Sequence, residues 1–362
     1  MNIVVAAGGT GGHIFPALSV ALELKKQVSD LSLLWVGTSR NREKELCKKN
    51  NIPLTILDVR GIQRKLSFSS LLAIRDFIGA LRRMNGLFRK NRPDAVAAFG
   101  GYVCAPVLAA ARQNKIPYFL QEQNSVPGLV NRTFSSKAES SFLGYPLSGK
   151  YKLKGKCVIT GTPIRTVENS FDTFEYPQSF DKNKITVFIC GGSQGAASMN
   201  ECLIPPMKKT VGNGTQLLWQ TGSFSFEKIA KEFSEYSNAF IFETIDDMYP
   251  YYAASDIVIC RSGASTLNEI AYFGLPCIMI PLPWAAENHQ WMNAAHVQSA
   301  GWGIRVAQGT SCGEEVEKAL TNLLEDKKYY ENMCMKALDN SPEGAAALIA
   351  KDILGHFQSK RN

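Results

Sequence analysis

The strongest constraint on the fold is a phrase that the chain uses twice. Ile3-Val4-Val5-Ala6-Ala7 is a short apolar run, followed by Gly8-Gly9-Thr10-Gly11-Gly12-His13 and then by Ile14 to Lys26, whose apolar spacing fits a helix. Ile185 to Cys190, then Gly191-Gly192-Ser193-Gln194-Gly195-Ala196, then a helix from Ala197 repeat that order 183 residues later (191 − 8), about half of the 362-residue chain. A second pair of segments also corresponds: Asp94 to Gly101 (DAVAAFGG) and Asp256 to Gly263 (DIVICRSG). Each is followed by a helical stretch and by a strand announced by Ile-Pro or Leu-Pro, at Pro117 and Pro276. Near-continuous apolar strands alternating with helices define parallel sheets covered on both faces. The expected fold is therefore α/β: two Rossmann-like, doubly wound parallel-sheet domains related by duplication, the first ending near Gly161–Pro163. Such sheets bind ligands at the carboxyl ends of their strands, where all four glycine-bearing turns lie. Two sheets facing each other would line one cleft with these loops.

Composition narrows the class. At roughly 150 residues per domain the length gives two domains, and 45% hydrophobic with 20% charged residues is ordinary globular usage. Nine cysteines, odd in number and without a C-x-x-C pair, argue against a disulfide framework and a zinc site and for reduced, intracellular thiols. Residues 1–22 carry no formal charge, yet no Lys or Arg precedes the apolar part and glycines interrupt it, so it is not an export signal. The uncharged stretches 95–111 and 270–286 are broken by glycine and proline and do not span a bilayer.

The net charge of +8 is local. Residues 60–92 hold nine Lys or Arg and one acid, Asp76, so that segment alone carries +8 (9 − 1). Leu72, Ile74, Ile78 and other apolar residues interleave with Arg64, Lys65, Arg75, Arg82 and Arg83, a pattern suited to lying on anionic lipid. A solvated cationic helix is the plainer alternative, and the aliphatic content disfavours nucleic acid.

A Gly-Gly-x-x-Gly turn before a helix exposes backbone N–H groups and the positive helix end to an anion, phosphate above all. Equally, the glycines could serve only tight strand-to-helix packing. Neither turn fits the dinucleotide fingerprint, since from Gly9 the third glycine position is Ile14, and no Walker loop is present. In Arg261 to Glu269 (RSGASTLNE), Ser262 is placed to cap a helix, and Glu269 to accept two ribose hydroxyls or simply to be solvated.

Taken in order and spacing, GGTGGH, GGY at 100–102, EQN at 122–124, TPIR at 162–165, GGSQGA at 191–196, IDDM at 245–248, RSGAST at 261–266 and HQ at 289–290 resemble the MurG family over essentially the whole chain. Those bacterial enzymes move N-acetylglucosamine from UDP to lipid I, giving the lipid II precursor of peptidoglycan. The resemblance implies a GT-B fold with an acceptor- and membrane-associating domain (1–162, the C-terminal helix of 341–362 packing back on it) and a UDP-sugar domain (163–340). It implies that Ile245 reads uracil through its backbone and that Glu269 holds the ribose. Ser193 and Arg165 would hold the diphosphate, and Asn124, Ala264, Gln290 and His289 would face the sugar, with Ser265, Thr266 and Leu267 beside them. Thr10, Gly11 and Gly12 would approach the acceptor. It further implies a peripheral protein on the cytoplasmic face of the inner membrane, with cell-wall synthesis proteins as partners. Gln121 departs from the pattern, which often has His there, so no imidazole acts at that place.

An α-linked donor and a β-linked product fit one displacement by the acceptor 4-hydroxyl, which needs a base and positive potential at the leaving diphosphate. No D-x-D motif is present and the four histidines are scattered, so neither metal nor other cofactor is expected; Arg165 and helix N-termini take that part. His13, at a helix start that favours neutral imidazole, and Glu122 are the two candidate bases. A transferase with another lipid acceptor, such as a diacylglycerol galactosyltransferase, or a catalytically silent UDP-sugar-binding subunit remain as alternatives.

Overall fold

The computed structural model describes residues 1–39, 41–60, 68–165, 175–191 and 196–358. The chain divides into two compact units, Met1–Arg165 with Glu343–Asn362, and Thr166–Pro342. In the first, the strands are β1 (Asn2–Ala6), β2 (Ser32–Gly37), β3 (Leu54–Ile56), β4 (Ala95–Ala98), β5 (Tyr118–Glu122), β6 (Ser140–Leu143) and β7 (Cys157–Ile159). Helices α1 (Gly11–Gln27), α2 (Asn41–Lys49), α3 (Phe68–Lys90), α4 (Cys104–Gln113) and α5 (Leu129–Phe134) connect them. In the second unit β8 (Thr186–Cys190), β9 (Gln216–Gln220), β10 (Ala239–Phe242), β11 (Ile257–Cys260), β12 (Cys277–Met279) and β13 (Gly303–Arg305) alternate with α6 (Ala197–Gly212), α7 (Phe226–Glu232), α8 (Tyr249–Ala253), α9 (Ala264–Tyr272), α10 (His289–Ala300) and α11 (Cys312–Glu325). Helix α12 (Lys327–Asp339) closes that unit, and α13 (Ala345–Gln358) belongs to the first.

Among the described residues the first sheet runs β3-β2-β1-β4-β5-β6-β7 and the second β10-β9-β8-β11-β12-β13, every pairing parallel. Central strands are apolar along their length because helices cover both faces: Val5 and Ala97 face a core shared with Ile14, Val20 and Leu24 of α1, while Val4 and Val96 face one shared with Met84 of α3 and Val107 of α4.

The units divide after Arg165 rather than after the expected 162, because Ile164 and Arg165 stay tied to α1. Ser19 Oγ lies 2.6 Å from Ile164 O and donates to it, and the Arg165 guanidinium stands over the Phe15 ring at 4.9 Å. Helix α13 packs along α1, burying Ile349, Ala350 and Ile353 in the core of the first unit. Replacing Ile353 by Ala is expected to cost the first unit about 2–5 kcal/mol. Hydrogen exchange should then accelerate in α1 and stay unchanged in β8.

Candidate functional site

Each sheet reverses its winding between two central strands, β1 and β4 in the first unit and β8 and β11 in the second. Open α/β sheets bind ligands at this point, beyond the carboxyl ends of the strands. The four glycine-bearing turns leave those four strands.

In the first unit the turns after β1 and β4 interlock through missing side chains. Gly101 has φ +88°, and a Cβ there would lie 2.3 Å from Gly8 O; Gly100 has φ +110°, and its Cβ would lie 2.6 Å from the His13 ring. His13 occupies the first turn of α1, and its Nδ1 is 3.1 Å from Gly8 O. A carbonyl only accepts, so Nδ1 carries the proton and the lone pair of the neutral ring is on Nε2. Beneath the turn lies a fully buried carboxylate, Glu43 of α2. Its oxygens accept from Gly9 N (3.2 Å), Thr38 N (2.7 Å) and Thr38 Oγ1 (2.6 Å), a position open only because residue 37 is glycine.

Glu122 ends β5 and is 3% exposed. Its carboxylate accepts from Gly128 N (2.8 Å), Asn131 Nδ2 (2.8 Å), Asn124 N (3.1 Å) and Asn124 Nδ2 (3.4 Å). Burial raises its pKa, against the opposing pull of these donors. The side chain thus organises the loop that carries Asn124. Gln121 points to the other face of β5, buried, and accepts from Gln123 Nε2, which is also 2.6 Å from Phe99 O. An interior pair of amide side chains therefore occupies this position.

In the second unit a buried cation takes the place of Glu43. Arg261 donates to Ile280 O (2.8 Å) and Pro281 O (3.3 Å) and reaches Ser198 Oγ (3.4 Å), tying the ends of β11 and β12 to the start of α6. Burial lowers its pKa somewhat, from a value far above neutrality. Half-buried Glu269 lies in the second turn of α9, near enough to Cys190 and Tyr252 for its charge to add to the burial that raises both their pKa values. Half-buried Ile245 lies in the loop between β10 and α8. Before α10, Glu287 (φ 51°) and Asn288 (φ 59°) are both left-handed, a strained approach of the kind that gathers at functional sites. At its start His289 Nδ1 donates to Ala286 O (2.8 Å) and Gln290 Oε1 accepts from Leu282 N (2.9 Å), so Gln290 keeps its NH2 group for another acceptor.

The first unit groups Thr10, Gly11, Gly12 and His13 in one turn, with Glu122 and Asn124 at the end of β5 and Arg165 against α1. The second groups Ala264, Ser265, Thr266 and Glu269 on α9, with Ile245, His289 and Gln290 on flanking loops and helix ends. Two expectations are corrected. The cap of α9 is Gly263, not Ser262, whose hydroxyl turns into the interior, fully buried and without a hydrogen-bond partner among the described residues. Leu267 offers no group to a ligand, since its side chain is fully buried and its N–H bonds Gly263 O (3.0 Å). Ser193, Arg64 and Lys65 lie outside the described residues.

On α3, Ile74 (47%) and Ile78 (41%) are exposed beside Arg82 and Arg89, while Leu72 is half-buried. Arg75 pairs with Asp76 (3.4 Å), as does Arg60 (3.3 Å), and Arg83 donates to Ile56 O (2.8 Å). No helix among the described residues is long and apolar enough to cross a membrane, and none of their His, Cys, Asp and Glu side chains gather in threes that could hold a metal ion.

Two doubly wound parallel sheets, each with a winding reversal of the kind at which such folds bind ligands, define the class, and comparison with known proteins gives the family. Residues 3–143 match the glycosyltransferase family 28 N-terminal domain and residues 186–349 the glycosyltransferase family 28 C-terminal domain. The chain belongs to glycosyltransferase family 28. Among its relatives, the UDP-N-acetylglucosamine--N-acetylmuramyl-(pentapeptide) pyrophosphoryl-undecaprenol N-acetylglucosamine transferase of Desulforamulus reducens is 34% identical, covering 96% of this chain and 97% of that protein. The Bacillus subtilis protein of the same name is 31% identical, over 97% and 98% respectively. The crystal structure of Acinetobacter baumannii MurG matches with a TM-score of 0.75 at 29% identity, covering 97% of this chain and 98% of that one. A Neisseria meningitidis UDP-GlcNAc 2-epimerase, at 16% identity and a TM-score of 0.70 over 98% of this chain and 100% of its own, shares the fold.

The interlocked turns make a direct prediction. Gly101→Ala forces a left-handed residue and a backbone overlap, and is expected to destabilise the first unit by about 2–4 kcal/mol, read as a lower denaturant midpoint. Alanine at exposed Gly79 meets no neighbour within 4 Å and should leave the midpoint unchanged or raised.

Proposed function

We propose that this chain transfers N-acetylglucosamine from UDP-N-acetylglucosamine to the MurNAc 4-hydroxyl of lipid I, forming the β-1,4-linked lipid II precursor of peptidoglycan. The observation that carries the reading is kinship over nearly the full length, 34% identity across 96% of the chain, with a transferase of that name. Neither alternative, a different lipid acceptor or a silent subunit, has comparable support.

In this reading the first unit binds the acceptor and the second the donor. Thr10, Gly11 and Gly12 present the amino end of α1 to the acceptor diphosphate. The backbone of Ile245 reads uracil, Glu269 accepts from the ribose hydroxyls, and the Arg165 guanidinium with Ser193 takes the donor diphosphate. Ala264, Ser265 and Thr266 supply the amino end of α9, where N–H groups have no carbonyl one turn earlier. Asn124, the Gln290 NH2 and His289 face the sugar. His13 is the base: with its proton on Nδ1 and Gly8 O as acceptor, Nε2 takes the proton of the attacking 4-hydroxyl as UDP departs. Glu122, whose oxygens already accept four donors, holds the Asn124 loop instead.

His13→Ala is expected to lower kcat by roughly a factor of 10²–10⁴ with an unchanged donor Kd and melting temperature. Glu122→Ala should lower the melting temperature and weaken substrate binding together. Equal kinetic and thermal effects of the two substitutions would remove the distinction.

At the membrane, α3 lies on anionic lipid through Ile74, Ile78, Arg82 and Arg89, each cation contributing on the order of 1 kcal/mol; Arg75 and Arg83 are engaged within the protein. In this reading the enzyme works as a peripheral protein at the cytoplasmic face of the inner membrane. Ile78→Ser with Arg82→Glu should weaken cosedimentation with phosphatidylglycerol vesicles about tenfold or more; undiminished sedimentation would exclude this face.

Incubation with radiolabelled UDP-N-acetylglucosamine and a short-chain lipid I analogue, against UDP-glucose and UDP-galactose, tests the reaction itself. Labelled disaccharide lipid formed from the first donor alone is the expected result, and binding without product would indicate the silent subunit.

A further inference from the structure

The second unit brings two cysteines together that no step above uses. Cys202 lies in the middle of α6 and Cys312 opens α11, and their sulfurs are 2.6 Å apart although 110 residues separate them in sequence. The approach is built into the helix pair. A Cβ on Gly313 would lie 2.7 Å from Cys202 O, so a side chain at that position would wedge the helices apart. Lys209 of α6 pairs with Glu317 of α11 further along. Met199, Leu203 and Val316, all fully buried, pack around the sulfurs in one core.

The two thiols differ. Cys202 is half-buried, with Met199 O 3.2 Å from its sulfur, whereas Cys312 is fully buried. The hydrogen bond from Cys202, followed by a backbone contact at Gly309 and the charge of Arg261, holds Cys312 below the usual thiol range against the effect of burial. The same contact, together with burial, pushes the Cys202 thiol in the opposite direction.

We propose that Cys202 and Cys312 form an oxidant-sensitive pair that a peroxide closes into a reversible disulfide, clamping α6 to α11. Cys202 Sγ, the sulfur nearer solvent, attacks one peroxide oxygen as the thiolate, its proton having passed to Cys312 across the short contact. The S–O bond forms, the O–O bond breaks, and the departing hydroxide leaves as water with a proton from solvent. Cys312 then attacks the sulfenic sulfur, forming the S–S bond and breaking the S–O bond, and the second hydroxide leaves as water with a proton from Cys312 or solvent. Two electrons pass from the thiols to the peroxide. The pair is independent of which sugar the enzyme transfers.

The test is hydrogen peroxide added to the reduced full-length protein, then alkylation, intact mass and peptide mapping. The proposal expects loss of two hydrogens, a Cys202–Cys312 cross-linked peptide, and recovery of both thiols with dithiothreitol. The oxidised form should melt several degrees higher, because the bond closes a long loop in the unfolded chain. Cys202→Ser and Cys312→Ser should each abolish the cross-link, and Cys157→Ser, which removes an exposed thiol, should leave it intact. Unchanged mass, oxygen added without a cross-link, or cross-links that persist in Cys312→Ser would overturn the proposal.

Discussion

The approach of the Gly8 carbonyl to the α-carbon of Gly101 is the contact on which the first unit's site depends. It exists because position 101 lacks a side chain, and it fixes the two loops at the winding reversal of the sheet to each other. The His13 ring then rests on Gly100, its Nδ1 is saturated by Gly8 O, and the turn is secured from below by the Glu43 carboxylate. Apart from the bond between His13 and Gly8, this arrangement is not local in sequence. It joins the ends of β1, β2 and β4, and the parallel pairing of those strands is what brings them together.

The second unit repeats the architecture with the opposite charge. Where a buried carboxylate braces the turn after β1, a buried guanidinium, Arg261, ties the end of β11 to the start of α6 by bonding the carbonyls that follow β12 and reaching Ser198 Oγ. A carboxylate suits a turn whose amides it must collect. A cation adds attraction for an anion at the amino ends of α6 and α9, consistent with assigning the donor diphosphate to this unit.

The strand, glycine turn and helix phrases were legible because each is contiguous and carries a strong period: β1 with α1 and β8 with α6 lie where the apolar runs place them. Legibility ended at residues whose meaning is tertiary. Glu43 belongs to a highly polar segment, NREKELCKK, and looks like a solvated helix face; only the fold reveals that glycine at 37 opens space for its carboxylate. Arg261 looks like a loop cation, yet it is buried. Ser262 satisfied the rule for a cap by residue type, but the helix begins one residue later, which turns its hydroxyl inward. Leu267 lay inside a binding motif, while the helix register commits both its side chain and its N–H. For Glu122 the sequence offered two roles, and the four donors around its carboxylate favour the loop-ordering one.

The central claim is that His13 is held with its proton on Nδ1 so that Nε2 can accept another. Nitrogen-15 NMR of histidine-labelled protein tests this directly, with only four histidines to resolve and His13→Gln to assign the signal. The account predicts that near neutral pH the His13 ring is the Nδ1–H tautomer, with an unprotonated Nε2 shift. A ring protonated on Nε2 with a bare Nδ1, or a doubly protonated ring, would contradict it.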